Sequence, residues 1–283
     1  MLALRETGMA FDISVDWLAD LLATAADQEI MPRFRRLAAG DIRQKTSAID
    51  LVTKADVNAE RVITKRLLEK YPGALILGEE ACSENPVILD GLADAPLAFV
   101  LDPVDGTLNF ASGVPLFGVM LAVVVSGETV AGMIYDPLGR DWLIGEKGAG
   151  SYIRSSDGGL AKVRVADAVP VSEMSGAISW NYMVEPQRSR MAGNLAKCRA
   201  SFNFRCAAYE YRLVASGHGH FVLYNKLMPW DHLAGTLIQQ EAGGYAARFD
   251  GSAYLPGHLD GGLMIAPDKE SWSALRQALW AEK

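Results

Sequence analysis

The stretch LDPVDGTLNF, residues 101–110, sets two aspartates, Asp102 and Asp105, at the end of the apolar run LAFVLD, with Pro103 between them and Gly106-Thr107 directly after. The run reads as a buried strand, and Asp102 falls where that strand leaves its sheet, the edge at which α/β folds gather ligands. Pro103 is expected to end the ladder and leave both carboxylates on a loop. Two carboxylates this close repel one another, and burying even one of them ionised and unpaired costs several kcal/mol. The nearest cations in sequence are Lys65, Arg66, Lys70 and Arg140, so no local ion pair is evident and a divalent cation is the economical counter-charge. A hard ion such as Mg²⁺ takes oxygen ligands, and the Val104 carbonyl is placed to be one of them. Gly106 and Thr107 add close backbone N–H groups and a hydroxyl, the makings of a phosphate-binding nest. A helix starting near Thr107 would turn its positive end toward the same point.

Three further acidic stretches fit this pattern. In GEE (78–80), Glu79 and Glu80 emerge at the end of the strand ALILG, as Asp102 does from its own. Asp50 and Asp56 bracket LVTKA ahead of a helix, where Asp is also a good N-cap. In PWDHLAG, Asp231 sits in the first turn of a helix that begins after Pro229. Singly, each reads as a cap or a solvated strand end. Together with DPxDGT they make a metal site the better reading.

The rest of the chain alternates in character. Apolar residues at helical spacing predict a long helix over 13–37 and a second over 57–70. Continuous apolar runs at 74–78, 97–102, 116–125, 129–136 and 141–146 predict strands without a wet face, the last three joined by SGET and PLGR into an antiparallel meander. SSDGG at 155–159 reads as a hairpin tip. Beyond 150 the pattern becomes α/β alternation: strands near 176–180, 200–204, 220–224 and 262–266, helices near 186–195, 207–216, 230–242 and 268–281. The expected organisation is an N-terminal α+β half, 1–150, carrying most acidic motifs, and a C-terminal α/β half, 151–283, that completes the site.

Composition bounds the function. The net charge is −7 and the pI about 5.2, with no concentrated basic face, which argues against a nucleic-acid partner. Cys82, Cys198 and Cys206 are odd in number and lack CxxC spacing, so free thiols in a reducing compartment, the cytoplasm, are expected. No apolar run approaches the ~18 residues that span a membrane. His218 and His220 share a strand face in GHGH but lack a third ligand at suitable spacing, and Cys206 reads as a small buried side chain rather than a reactive thiol.

DLVTKAD, GEE, LDPVDGTLNF and PWDHLAG, in that order, together resemble the metal-binding motifs of the inositol monophosphatase family of Mg²⁺-dependent, lithium-sensitive phosphatases. With CAAYEYRLVASGHGHF, the resemblance covers nearly the whole chain. It implies a five-layer αβαβα sandwich of the inositol monophosphatase and fructose-1,6-bisphosphatase type, and a homodimer. It implies a first Mg²⁺ on Glu79, Asp102 and the Val104 carbonyl, a second on Asp102, Asp105 and Asp231, and a third, weaker one near Glu79 with Asp56 reached through water. Glu79 and Thr107, with Asp56, would orient a metal-activated water for in-line attack on a small phosphate ester. Asp105, Gly106, Thr107 and Asp231 would hold the phosphate, with no phosphoenzyme.

Substrate identity departs from the family pattern. Inositol-selective members carry a glutamate seven residues before the last motif aspartate, and here that residue is Tyr224. The segment that usually reads Gly-Ser/Thr-Ala-Ala is Arg205-Cys206-Ala207-Ala208. Arg205 brings a forked cationic donor suited to a carboxylate or second phosphate, unless it pairs with Glu210 or another acid. Arg205, Ala207 and Tyr224 are therefore the candidate substrate contacts. A polyol or sugar phosphate, histidinol phosphate and a 3′-phosphoadenosine nucleotide are the substrate alternatives. A regulatory or RNA-machinery-binding member with incidental activity is the alternative of a different class.

Overall fold

The computed structural model describes residues 2–3, 11–47, 50–180 and 182–280. Near the start, β1 (Leu2–Ala3) pairs with β2 (Asp12–Ile13). Helix α1 (Val15–Ala25) is capped by the Ser14 side chain, which accepts from Trp17 N–H, and buries Leu18, Leu21 and Leu22. The helix expected to run to 37 ends as an α-helix at Ala25 and continues as one π turn (Ala26–Ile30) and a 3₁₀ turn (Met31–Arg33). Pro32 accounts for the change, since it has no N–H and its ring clashes with the carbonyl four residues back. A hairpin of β3 (Ile42–Gln44) and β4 (Leu51–Thr53), which the short polar sequence did not reveal, leads into α2 (Lys54–Lys70). Helix α2 starts three residues earlier than expected because Thr53 and Asp56 form a capping box.

The continuous apolar runs form one sheet. Strands β5 (Leu75–Gly78) and β6 (Leu97–Asp105) are parallel and flank α3 (Glu79–Glu84). Short α4 (Thr107–Ala111) precedes the antiparallel β7 (Gly118–Val125), β8 (Glu128–Asp136), β9 (Asp141–Glu146), β10 (Gly150–Ser155) and β11 (Leu160–Lys162). The order is β11-β10-β9-β8-β7-β6-β5, so the sheet runs on past residue 150. A second sheet, in the order β13-β12-β14-β16-β15, contains β12 (Ser175–Ser179), β13 (Ala200–Phe202), β14 (Phe221–Tyr224), β15 (Tyr245–Arg248) and β16 (Leu263–Ala266). Strand β15 was not foreseen, its Tyr-Ala-Ala-Arg carrying little strand signal. Helices α5 (Gln187–Asn194), α6 (Ala207–Ala215), α7 (Pro229–Glu241) and α8 (Lys269–Trp280) complete the chain.

Three apolar clusters establish the layering. One face of the seven-stranded sheet (Phe99, Leu101, Leu121, Met133) packs on α1 and α2. The alternate residues (Val100, Met120, Ala122, Ile134) meet α6 and α7 through Tyr211, Val214, Leu233 and Ile238, which in turn meet Val222 and Ile265 of the second sheet. The far face of that sheet (Phe221, Leu223, Met264) packs on α5 and α8 through Met191, Trp272 and Leu275. The sandwich is therefore α1/α2, sheet, α6/α7, sheet, α5/α8. Close approach of α7 depends on two glycines: a Cβ at Gly132 would lie 2.6 Å from the Ala234 carbonyl oxygen, and one at Gly145 2.8 Å from Ile238 Cα. Among the described residues, no helix is long and apolar enough to cross a membrane.

Candidate metal centre

Pro103 does not end the ladder. Strand β6 continues to Asp105, pairing Asp102 with Met120 and Asp105 with Gly118, so β6 advances three residues where β7 advances two. In a regular strand, side chains three apart point to opposite faces. The bulge restores both carboxylates to one side. Asp231, in the first turn of α7, joins them, and one oxygen from each of Asp102, Asp105 and Asp231 lies within 4.8 Å of the others.

Two of the carboxylates are aimed by hydrogen bonds. Asp102 accepts from Val104 N–H at 2.9 Å. Asp105 accepts from Ala208 N–H at 2.5 Å and from the Cys206 thiol at 3.1 Å, both groups at the start of α6. Among the described residues, none of the three carboxylates is ion-paired to a lysine or arginine. Burial holds the carboxyl of Asp102 well above the usual carboxylate range, reinforced by the charges of Glu79 and Asp105. Burial likewise raises Asp231, with Asp105 next in effect, and pushes Asp105 up to about 6. Three converging oxygen donors without an ion-pair partner among the described residues fit a hard divalent cation.

Around this cluster lies a cavity of about 690 Å³. Thr107 Oγ1 stands 3.0 Å from Asp56 Oδ1 and 3.0 Å from the Val104 carbonyl oxygen, so its single proton is shared between them. Asp56 has its other oxygen on Thr53 N–H at 2.9 Å, and burial pushes its carboxyl up to about 7. Gly106 is left-handed, with φ 87°, and a Cβ there would lie 2.8 Å from the Leu116 carbonyl oxygen. This conformation opens α4 with its first N–H groups lacking intrahelical acceptors.

Glu79 is not among the three mutually close ligands. Its Oε1 receives Lys45 Nζ at 2.8 Å, and the same ammonium reaches Glu80 Oε1 at 2.7 Å. Burial disfavours the Lys45 ammonium, but Glu79 and then Glu80 outweigh it and raise its pKa. Burial and the Glu79 charge push Glu80 up to about 8. A cation is thus present after all, brought from the β3–β4 hairpin rather than from a sequence neighbour. Glu60 of α2 was also missed: it accepts from Glu80 and Ala81 N–H, each at 2.8 Å, and fixes the start of α3. Its spacing of one helical turn from Asp56 was the available signal. Gly78 makes room for it, since a Cβ there would lie 2.3 Å from the Glu60 carboxyl carbon.

The substrate-side residues line the same cavity. Arg205 does not pair with Glu210; its guanidinium lies 3.4 Å from the Asn109 side-chain oxygen. Glu210 instead accepts from Tyr224 Oη at 2.9 Å and from Phe204 N–H at 2.8 Å, and burial pushes its carboxyl up to about 7. Ala207 opens α6. His232 is buried between the Lys226 carbonyl and Tyr211 Oη, and burial lowers it to about 4, a packing role. His220 accepts from Ser175 N–H, and Cys206 is a buried thiol whose pKa burial raises well above its ordinary value.

A family model described as the inositol monophosphatase family matches residues 15–283. The chain belongs to this family. Among curated family relatives, it is 28% identical over 216 residues to the inositol-1-monophosphatase of Bacillus subtilis, covering 75% of this chain and 78% of that protein. It is 32% identical over 210 residues to the inositol-1-monophosphatase SuhB of Mycobacterium tuberculosis, covering 72% and 70% respectively. It is 34% identical over 218 residues to a Nus factor SuhB of Pasteurella multocida, covering 75% and 78%. The family fold is shared with a Thermotoga maritima inositol monophosphatase structure at a TM-score of 0.77 and 22% identity, covering 94% of this chain and 96% of that one.

Proposed function

We propose that the chain is a Mg²⁺-dependent phosphomonoesterase acting on a small phosphorylated metabolite. The observation that carries this reading is the set of three convergent carboxylates, Asp102, Asp105 and Asp231, none of them in an ion pair among the described residues. The Val104 carbonyl and Glu79 complete the oxygen donors that would hold two ions. A third ion, if held, would lie near Glu79 and Asp56. When bound, the metal would supply Lewis acidity that activates water near neutral pH and offsets charge on the phosphate and the departing oxygen. Thr107 Oγ1 orients the attacking water and links it to Asp56, which holds the proton. The N–H groups of Gly106 and Thr107 bind phosphate oxygens as charge redistributes on them.

The three cysteines are free and buried, which supports a reducing compartment, and we place the protein in the cytoplasm; a homodimer is proposed from the family resemblance. Relatives named Nus factor SuhB motivate a second reading, a binding or regulatory role with incidental catalysis. Phosphate release from inositol 1-phosphate, histidinol phosphate, glycerol 2-phosphate, fructose 1,6-bisphosphate and adenosine 3′,5′-bisphosphate, with Mg²⁺ and with Asp102→Asn as control, separates the two. Turnover of one ester, abolished in the variant, supports the phosphatase. No Mg²⁺-dependent turnover of any ester moves the weight to the second reading.

A further inference from the structure

Strands β13, β12 and β14 are parallel neighbours, and their carboxyl ends all open onto the cavity. Tyr182 follows β12, Arg205 follows β13 and Lys226 follows β14; all three line the cavity and are exposed to it and to solvent. Arg205 adopts a left-handed backbone, φ 52°, and among the described residues its guanidinium has only the long contact to Asn109. Lys226 Nζ stands 5.6 Å from the Tyr182 ring centroid, and its charge favours the ionised form of Asp231. Neither cation has a carboxylate partner among the described residues.

The Glu210 and Asn203 side chains on this wall are already engaged. Tyr224 Oη and Phe204 N–H occupy the two oxygens of Glu210. Asn203 accepts from Arg205 N–H and donates to the Ile178 carbonyl, each at 2.8 Å. A polyol offers only neutral hydroxyls, which leave the charges of Arg205 and Lys226 unmatched. Two unpaired cationic donors call instead for an anion.

Resting on the phosphatase reading, we propose that Arg205 and Lys226 form a second anion subsite, so that the substrate is a phosphate ester whose alcohol portion carries another carboxylate or phosphate. The forked guanidinium suits a planar or tetrahedral oxyanion, and the ammonium adds a point charge from the neighbouring strand end. The ester's reacting phosphate would go to the carboxylate cluster and its second charge to these strand ends. Arg43, from the β3–β4 hairpin, lines the same cavity and also lacks a carboxylate partner among the described residues, so it serves as an internal comparison.

Two matched pairs distinguish the anion. Glycerol 2-phosphate against 2-phosphoglycerate adds a carboxylate; fructose 6-phosphate against fructose 1,6-bisphosphate adds a phosphate. In Mg²⁺ at low salt, kcat/KM for the doubly anionic member of at least one pair should exceed that of its counterpart about tenfold or more. The ratio should fall toward one in Arg205→Gln and in Lys226→Gln, and persist in Arg43→Gln. Equal values within both pairs, or a preference that survives both variants or is lost in Arg43→Gln alone, overturn the subsite. Calorimetric binding of the same four esters in Ca²⁺ reads the subsite apart from turnover. Preferential binding of a doubly anionic ester that is not hydrolysed in Mg²⁺ sinks the phosphatase reading and keeps the subsite; equal binding within both pairs sinks the subsite.

Discussion

Asp105→Asn should make the metal-free protein more stable while removing most of its response to Mg²⁺. Asp105 titrates in the fold at about 6 against an ordinary 3.8, a difference that at neutral pH costs about 3 kcal/mol for keeping this carboxylate ionised. Asparagine keeps an oxygen to accept from Ala208 N–H, so the backbone contact survives while the charge is lost. For a chain of this size, the relief is worth a rise in Tm of roughly 6 °C in EDTA. The sign of the pH dependence follows. The folded pKa lies above the unfolded one, so the Asp105 contribution to the stability of the metal-free wild type is fully present below about 4 and lost as pH rises through about 6. Asp102 and Asp231 act in the same direction. Scanning calorimetry in EDTA at about pH 5 and about pH 8 should show a steeper loss in wild type than in the variant. Mg²⁺ at ~100 times its Kd should restore ~2.7 kcal/mol to the wild type and little to the variant. A metal-free variant less stable than wild type at the higher pH, or a Mg²⁺ response of unchanged size, would refute the reasoning.

Two further outcomes are expected. Thr107→Val removes the hydroxyl between Asp56 and the Val104 carbonyl, so kcat on any ester the wild type hydrolyses should fall ~100-fold or more, while the Mg²⁺-induced rise in Tm is retained. Lys45→Met leaves Glu79 and Glu80 as part-buried carboxylates without their shared cation; urea unfolding of the metal-free protein should show a loss of about 3 kcal/mol, and the added Glu80→Gln change should recover much of it.

The continuous runs at 97–102, 116–125 and 129–136 could be read as covered strands because covering both faces removes the alternation that a wet face would impose. The burial of Asp102 and Asp105 was legible because a carboxylate at the end of an apolar run is carried into the interior with it. Asp231 was legible only beside them, since alone it reads as a first-turn helix acid. What the sequence hid were relations between distant segments. Lys45 lies far from Glu79 in the chain and in a polar hairpin that looks like loop. The bulge at Pro103 depends on the register of β7, and the proline alone reads equally as a strand end. Glu210 was weighed as a partner for Arg205 from proximity in sequence, whereas the fold turns it across the layer to Tyr224.

The middle layer has a bearing on synthesis. The face of the seven-stranded sheet that carries Val100, Met120 and Ile134 is covered by α6 and α7, which leave the ribosome only after that sheet is complete. Until they arrive, a broad apolar face stands bare, and Asp105 lacks the α6 N–H group that aims it. An ion meeting the nascent chain would find Asp102 and Asp105 without Asp231. On the proposed metal site, loading would wait for α7, and a chain truncated before α7 should be both metal-blind and prone to aggregate.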